Sequence, residues 1–135
     1  MHYWILKTEP SSYSFDQLVQ DGTAVWDGIK NPQALKYLRE MEAGDQVLIY
    51  HTGEERSVVG HAEVTSAAYP DPKGGDPRMV VVNLRAGAPL PKPVTLAQIK
   101  TDHMFMDLGL VRQARLSVVP ATEEQWKKLV EMGEG

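Results

Sequence analysis

Val47-Leu48-Ile49-Tyr50-His51-Thr52-Gly53-Glu54-Glu55-Arg56-Ser57-Val58-Val59-Gly60 holds two apolar, β-prone runs joined by a short polar connection. Val47–His51 and Val58–Thr65 read as strands because both are rich in Val or Ile. Gly53-Glu54-Glu55-Arg56 reads as a hairpin connection, far too short for the crossover helix that a parallel pair requires. A third run, Met79–Leu84, follows Tyr69-Pro70-Asp71-Pro72-Lys73-Gly74-Gly75-Asp76-Pro77, which is too rich in Pro and Gly for a regular element and reads as an exposed loop. Three consecutive strands without crossover helices favour antiparallel pairing.

Upstream, a first strand is expected over Tyr3–Lys7, stopped by Pro10. Ser14 and Gln17 have capping-box spacing and open a helix to about Val19, ended by Asp21-Gly22. Asn31-Pro32 is a second helix start, an Asx N-cap followed by a proline whose missing N–H costs nothing there. Leu35, Leu38 and Met41 share one face of that helix, and Gly44 is expected to close it as a left-handed C-cap. Downstream, Pro89, Pro91 and Pro93 read as an irregular stretch. Thr95 and Gln98 cap a short helix over Leu96–Lys100, Arg115–Val119 is a final strand ended by Pro120, and Thr122 and Gln125 cap a last helix bearing Trp126, Leu129 and Val130. The expected fold class is α+β: one domain over residues 1–135, with a mixed, mainly antiparallel sheet curled into a partial barrel and helices packed outside.

At 135 residues the chain buries one core rather than two. It has no apolar run long enough to span a membrane and no basic, then apolar, leader segment. Without cysteine it has neither a disulfide framework nor a thiolate nucleophile, and a cytoplasmic location and a monomeric state are expected. A net charge of −4 argues against a non-specific coat on long duplexes, where counterion release by basic residues supplies most of the affinity. Recognition of a single nucleotide remains open to such a chain.

No catalytic apparatus stands out. There is no Gly-x-Ser-x-Gly elbow and no carboxylate pair on a common face. Gly74-Gly75 lacks the Gly-Lys-Ser/Thr that would make it a phosphate cradle. His2, His51, His61 and His103 are scattered without ligand spacing, so neither a metal site nor a cofactor is expected. An acid–base pair would require the fold to juxtapose Lys7 with Glu9, or Asp27 with His51.

What does stand out is polar and aromatic equipment at the ends of apolar runs. Lys7, Thr8 and Glu9 leave the first strand. Trp26 precedes the turn signal Asp27-Gly28, and Asn31 follows. Tyr50 and His51 end the central strand, and Ser117 lies in the last one. Strands that bury their bodies and present such groups at their exits build small-ligand pockets. An aromatic ring stacks on a flat base, and a carboxylate such as Asp27 accepts from an exocyclic amine of the cytosine or adenine type. Each of these residues also has a plain structural role open to it: Asn31 as helix cap, Trp26 as core edge, Lys7 and Glu9 as a salt bridge, Ser117 as a satisfied hydroxyl. Trp4, in mid-strand, and Trp126, on the last helix, are read as packing residues.

The ordered set of Tyr3-Trp4 with Lys7-Thr8-Glu9-Pro10, Trp26-Asp27-Gly28, Asn31, Gln33-Ala34, Gly44-Asp45, Tyr50-His51, Val59-Gly60, Tyr69-Pro70-Asp71 and Arg115-Leu116-Ser117-Val118 resembles the EVE domain family. Family members usually carry Arg where this chain has Lys30, whose ammonium lacks the planar guanidinium fork. The resemblance implies a PUA-like pseudo-barrel, related to YTH domains, and a non-catalytic reader of a modified nucleobase in DNA or RNA. It implies that Lys7, Thr8, Glu9, Trp26, Asp27, Asn31, Tyr50, His51 and Ser117 surround one base flipped into an aromatic-lined pocket. An enzyme acting on a modified nucleotide and a protein-interaction module are the alternatives.

Overall fold

The computed structural model describes residues 1–134. Seven strands form one mixed sheet: β1 (Tyr3–Thr8), β2 (Thr23–Trp26), β3 (Gln46–His51), β4 (Ser57–Val64), β5 (Tyr69–Pro70), β6 (Val80–Thr95) and β7 (Val118–Ala121). The spatial order is β2-β6-β4-β3-β1-β7, with β5 added on β6, and the path from β2 to β7 does not close. β1 and β3 are parallel, and every other pair is antiparallel. Five helices complete the described residues: α1 (Phe15–Asp21), α2 (Pro32–Glu40), α3 (Leu96–Lys100), α4 (Gly109–Arg112) and α5 (Glu123–Met132), with a 3₁₀ turn at His103–Phe105. Among the described residues no helix is long and apolar enough to cross a membrane.

The hairpin that decides the antiparallel core forms as expected, Gln46 opposite Glu63 and His51 opposite Ser57. β6 is the main departure. It continues through Pro89, Pro91 and Pro93 to Thr95, where a break was expected. Two steps along β4, Val58 to Gly60, face five along β6, Val94 to Pro89. Pro91 and Pro93 fall in the bulged stretch between these pairs, where no ladder hydrogen bond is needed, and Pro89 sits at its edge opposite Gly60, so their missing N–H groups are tolerated there. Gly44 is a second departure: α2 ends at Glu40 with Met41 as C-cap, and Gly44, at φ +98°, makes the turn into β3 instead.

Capping follows the sequence closely. Ser14 accepts from Gln17 N, Asn31 from Gln33 N and Ala34 N, while Thr95 and Thr122 form reciprocal capping boxes. α1 then lays Phe15 onto β4 so closely that its ring leaves no room for a β-carbon at Gly60. The core gathers Ile5 and Leu6 of β1, Val47 to Ile49 of β3, Leu38 of α2 and Leu129 of α5, all essentially inaccessible to solvent. This packing anchors the ends of β1 and β2, from which the candidate site is built.

Candidate functional site

β1 delivers Lys7, Thr8 and Glu9 to one side of a cleft. Lys7 N–H donates to Ser117 O at 3.0 Å, which brings the segment before β7 alongside. The half-buried Lys7 ammonium donates to Ala114 O at 2.9 Å and lies 5.8 Å from the centre of the Tyr50 ring. Burial lowers its pKa, because removal from water disfavours the charged form. Thr8 Oγ1 donates to Tyr13 O at 2.6 Å and so fixes the turn that leads into α1. Glu9 accepts from Ser11 Oγ at 3.1 Å and from Thr52 Oγ1 at 3.2 Å. Hydrogen bonding, first from the Ser11 backbone and then from these hydroxyls, holds its carboxyl below the usual range against an opposing desolvation.

β2 ends on the opposite side. Trp26 is 7% exposed and belongs to the hydrophobic core, with Tyr13 set edge-on to it at 6.0 Å between ring centroids. Its indole N–H donates to no atom of the described residues, yet the only buried side-chain polar atom lacking a partner among them is Trp126 Nε1, so the Trp26 N–H reaches solvent. The chain then turns through Gly28 at φ +78°, a left-handed geometry that suits glycine, and leaves Asp27 exposed. No side chain among the described residues engages the Asp27 carboxylate.

Between these walls lies a cleft of about 760 Å³. Of the residues singled out from sequence, Lys7, Thr8, Glu9, Trp26, Asp27 and Ser117 line it. Asn31, Tyr50 and His51 do not, and each has structural work. Asn31 Oδ1 accepts from Gln33 N at 2.9 Å and Ala34 N at 3.0 Å as the cap of α2. Tyr50 is buried beneath Lys7. His51 Nε2 accepts from Phe15 N–H at 3.0 Å and its Nδ1 faces Glu55 at 3.1 Å, so the neutral ring carries its proton on Nδ1 and ties β3 to the start of α1.

Sequence reasoning missed Tyr13, Asp21, Thr23 and Lys73, which also line the cleft. Tyr13 donates to Asp21 at 2.8 Å, and burial together with that carboxylate pushes its phenol up to about 12. An aromatic immediately before the Ser14 cap was the available signal for Tyr13. For Lys73, inside a Pro/Gly loop, the sequence offers none. The arrangement brings two aromatic rings, an unengaged carboxylate and the Lys7 ammonium to one open cleft, without a metal-binding cluster among the described residues.

A profile of the EVE domain matches residues 2–132. The chain belongs to the EVE domain family. Among curated relatives, mouse thymocyte nuclear protein 1 is 27% identical over 98% of this chain and 74% of its own length. Among solved structures, Rpa0253 of Rhodopseudomonas palustris is 40% identical with a TM-score of 0.93, covering 98% of this chain and 93% of that one. The Agrobacterium tumefaciens protein Atu2648 is 35% identical with a TM-score of 0.95, at 98% and 93% coverage. Human THYN1, solved in complex with DNA containing 5-methylcytosine, shares the EVE fold with a TM-score of 0.92 at 24% identity, over 100% of this chain and 99% of that one. The vertebrate relatives are named thymocyte nuclear protein 1, nuclear proteins by name, which overturns the cytoplasmic expectation. That expectation came from missing features (cysteine, leader, membrane span), and these carry no address.

Proposed function

We propose that this EVE domain is a non-catalytic reader of a modified nucleobase, held outside the stack in the cleft between Trp26 and Lys7. One observation carries the proposal: the unengaged, exposed Asp27 carboxylate and Trp26 line one cleft, in a fold shared with a protein crystallised on 5-methylcytosine DNA. DNA is therefore the first substrate to test and RNA the second.

A base inside a duplex offers neither its faces nor its full edge, so the reader must extrude it, at a cost of a few kcal/mol that is smallest in single strands. Trp26 and Tyr13 offset part of this by aromatic contact, worth roughly 1–3 kcal/mol per stacked base. Asp27 accepts from an exocyclic amine, which favours cytosine-like or adenine-like edges over a carbonyl. Lys7 has donors left beyond its bond to Ala114 and faces a base carbonyl or a phosphate oxygen, while Ser117 and Thr8 complete the polar rim. A methyl group buried in the cleft adds about 0.8 kcal/mol, a several-fold preference. Asn31, Tyr50 and His51 support this site from behind by fixing α2, Lys7 and α1.

Titration with matched single-stranded and duplex oligonucleotides carrying cytosine or 5-methylcytosine, in DNA and in RNA, tests the proposal. Saturable binding, tighter for the modified base and with unchanged oligonucleotide mass after incubation, is expected. Equal affinity for both bases sinks base reading, and a mass change abolished by Asp27→Ala makes the domain an enzyme.

A further inference from the structure

A second cleft, of about 320 Å³, is lined by Lys30, Pro32, Leu35, Arg39, Arg78 and Met79. The two are continuous along the chain in two places. Asp27 to Ile29 line the first cleft and Lys30 lines the second, one peptide unit further on. Likewise Lys73 reaches the first cleft, while Arg78 and Met79, from the same Pro/Gly loop, line the second. Arg39 of α2 donates to Arg78 O at 2.7 Å and holds that loop against the helix, so the second cleft has a fixed wall.

Its chemistry differs from that of the first. The first cleft carries the carboxylates of Glu9, Asp21 and Asp27, whereas no carboxylate lines the second. The second gathers three cations over an apolar floor of Pro32, Leu35 and Met79. Arg78 is paired with Asp76 at 2.9 Å, and both are solvent-facing enough for a phosphate to compete with that pair. Lys30 and Arg39 form no ion pair among the described residues. In a chain of net charge −4, five of its 14 Lys and Arg residues (Lys7, Lys73, Lys30, Arg39 and Arg78) line these two clefts. Cations beside an apolar floor match a nucleotide unit, which pairs an anionic phosphate with a flat, largely apolar ring.

We propose that the second cleft holds the nucleotide adjacent to the flipped one, its phosphate against Lys30, Arg39 and Arg78 and its base or sugar on Pro32, Leu35 and Met79. This rests on the nucleobase reading of the first cleft. The domain then recognises a short single-stranded segment through two contiguous subsites, one choosing the base and the other gripping the backbone without sequence choice.

The test uses the full chain and three probes: the nucleoside 5-methyl-2′-deoxycytidine, a trinucleotide with central 5-methylcytosine, and the same trinucleotide with cytosine. Lys30→Ala, Arg78→Ala and the double variant leave Arg39, and hence the loop tether, in place. The double variant should bind the modified trinucleotide roughly tenfold more weakly at low salt. Its slope of log K against log salt should shrink by about 0.7 for each phosphate no longer neutralised. Nucleoside affinity should stay at the wild-type value. Unchanged trinucleotide affinity and salt slope overturn the second subsite, as does a parallel loss of nucleoside binding. Failure of the base reading looks different: wild type would bind both trinucleotides equally, with the double variant still weakened and its salt slope still reduced.

Discussion

Trp4 and Trp26 both belong to the core and both have an aspartate at hand, yet the two pairs are finished in opposite ways. Trp4 Nε1 donates to Asp45 Oδ2 at 3.0 Å, and the same carboxylate takes Glu42 N and His2 N, each at 3.0 Å. Asp45 is 1% exposed and its bonding capacity is used within the fold. Desolvation pushes its pKa up, but the three hydrogen bonds and the His2 charge outweigh this and leave it below the usual carboxylate range. Trp26, by contrast, keeps an N–H that bonds nothing among the described residues, and Asp27 beside it is exposed with no side-chain partner among them. A satisfied buried network fixes a core, while polar groups left open at a cleft are free to meet a ligand. The third tryptophan fits neither pattern: Trp126 Nε1 is buried and bonds nothing among the described residues, where the ring packs on Tyr3 and His61.

The largest effect expected from this contrast is on stability. Trp4→Ala and Trp26→Ala should each cost about 3–5 kcal/mol, since both rings are almost fully enclosed. They should part company in binding. Trp4→Ala leaves affinity per folded molecule unchanged, and Trp26→Ala weakens capture of a 5-methylcytosine oligonucleotide by about 1–3 kcal/mol. Calorimetric melting and titration of the same two variants decide the matter. If Trp26→Ala melts early but binds normally once corrected for folded fraction, both tryptophans are scaffold and the contrast collapses.

Asp45→Ala is the next step down. It strands the Trp4 donor in the core, at about 1–3 kcal/mol for that group alone. The pH dependence follows from the depressed pKa of Asp45: its stabilisation is complete above the ordinary carboxylate pKa and is lost as pH falls through the lower folded value. The melting temperature of the wild type should therefore drop on acidification more steeply than that of Asp45→Ala. Parallel melting curves for the two across acid pH would mean that Asp45 contributes no charge-dependent stability.

The scaffold half of the contrast was the easier to read from sequence. β-branched runs and Asx or Thr caps act through neighbours in the chain, so β3, β4 and the starts of α1, α2, α3 and α5 were legible. The extension of β6 was not, because proline reads as a breaker and only the bulged pairing with β4 accommodates Pro89 to Pro93. On the site side, Lys7 to Glu9 and Trp26-Asp27 were legible as polar exits of apolar strands, and they do line one cleft. Tyr50 and His51 obey the same pattern and turn inward instead, since β3 is flanked on both sides and its end is covered by Lys7 and α1. Which strand end meets solvent is a property of the assembled sheet. The second cleft is hidden from the sequence for the same reason: Lys30 and Arg78 are 48 positions apart and come together only when Arg39 clamps the loop.

The smallest expected change in stability is also the sharpest test. Asp27 is exposed and engaged by no side chain among the described residues, so Asp27→Ala and Asp27→Asn should shift unfolding free energy by no more than about 0.5 kcal/mol. A site residue should nonetheless matter for the ligand. If Asp27 accepts from an exocyclic amine, Asp27→Ala loses a charge-assisted hydrogen bond worth about 1.5–3 kcal/mol, or more than tenfold in affinity. Asp27→Asn retains a neutral acceptor of the same shape and should lose less than Asp27→Ala. The ordering wild type, Asn, Ala is specific to hydrogen bonding, because a purely electrostatic role would make Asn and Ala equal. If instead both variants bind more tightly, Asp27 repels a backbone phosphate rather than holding a base. The open half of the comparison would then be a gap in the charge pattern, and the base-selecting group would have to be sought at Lys7 and Ser117.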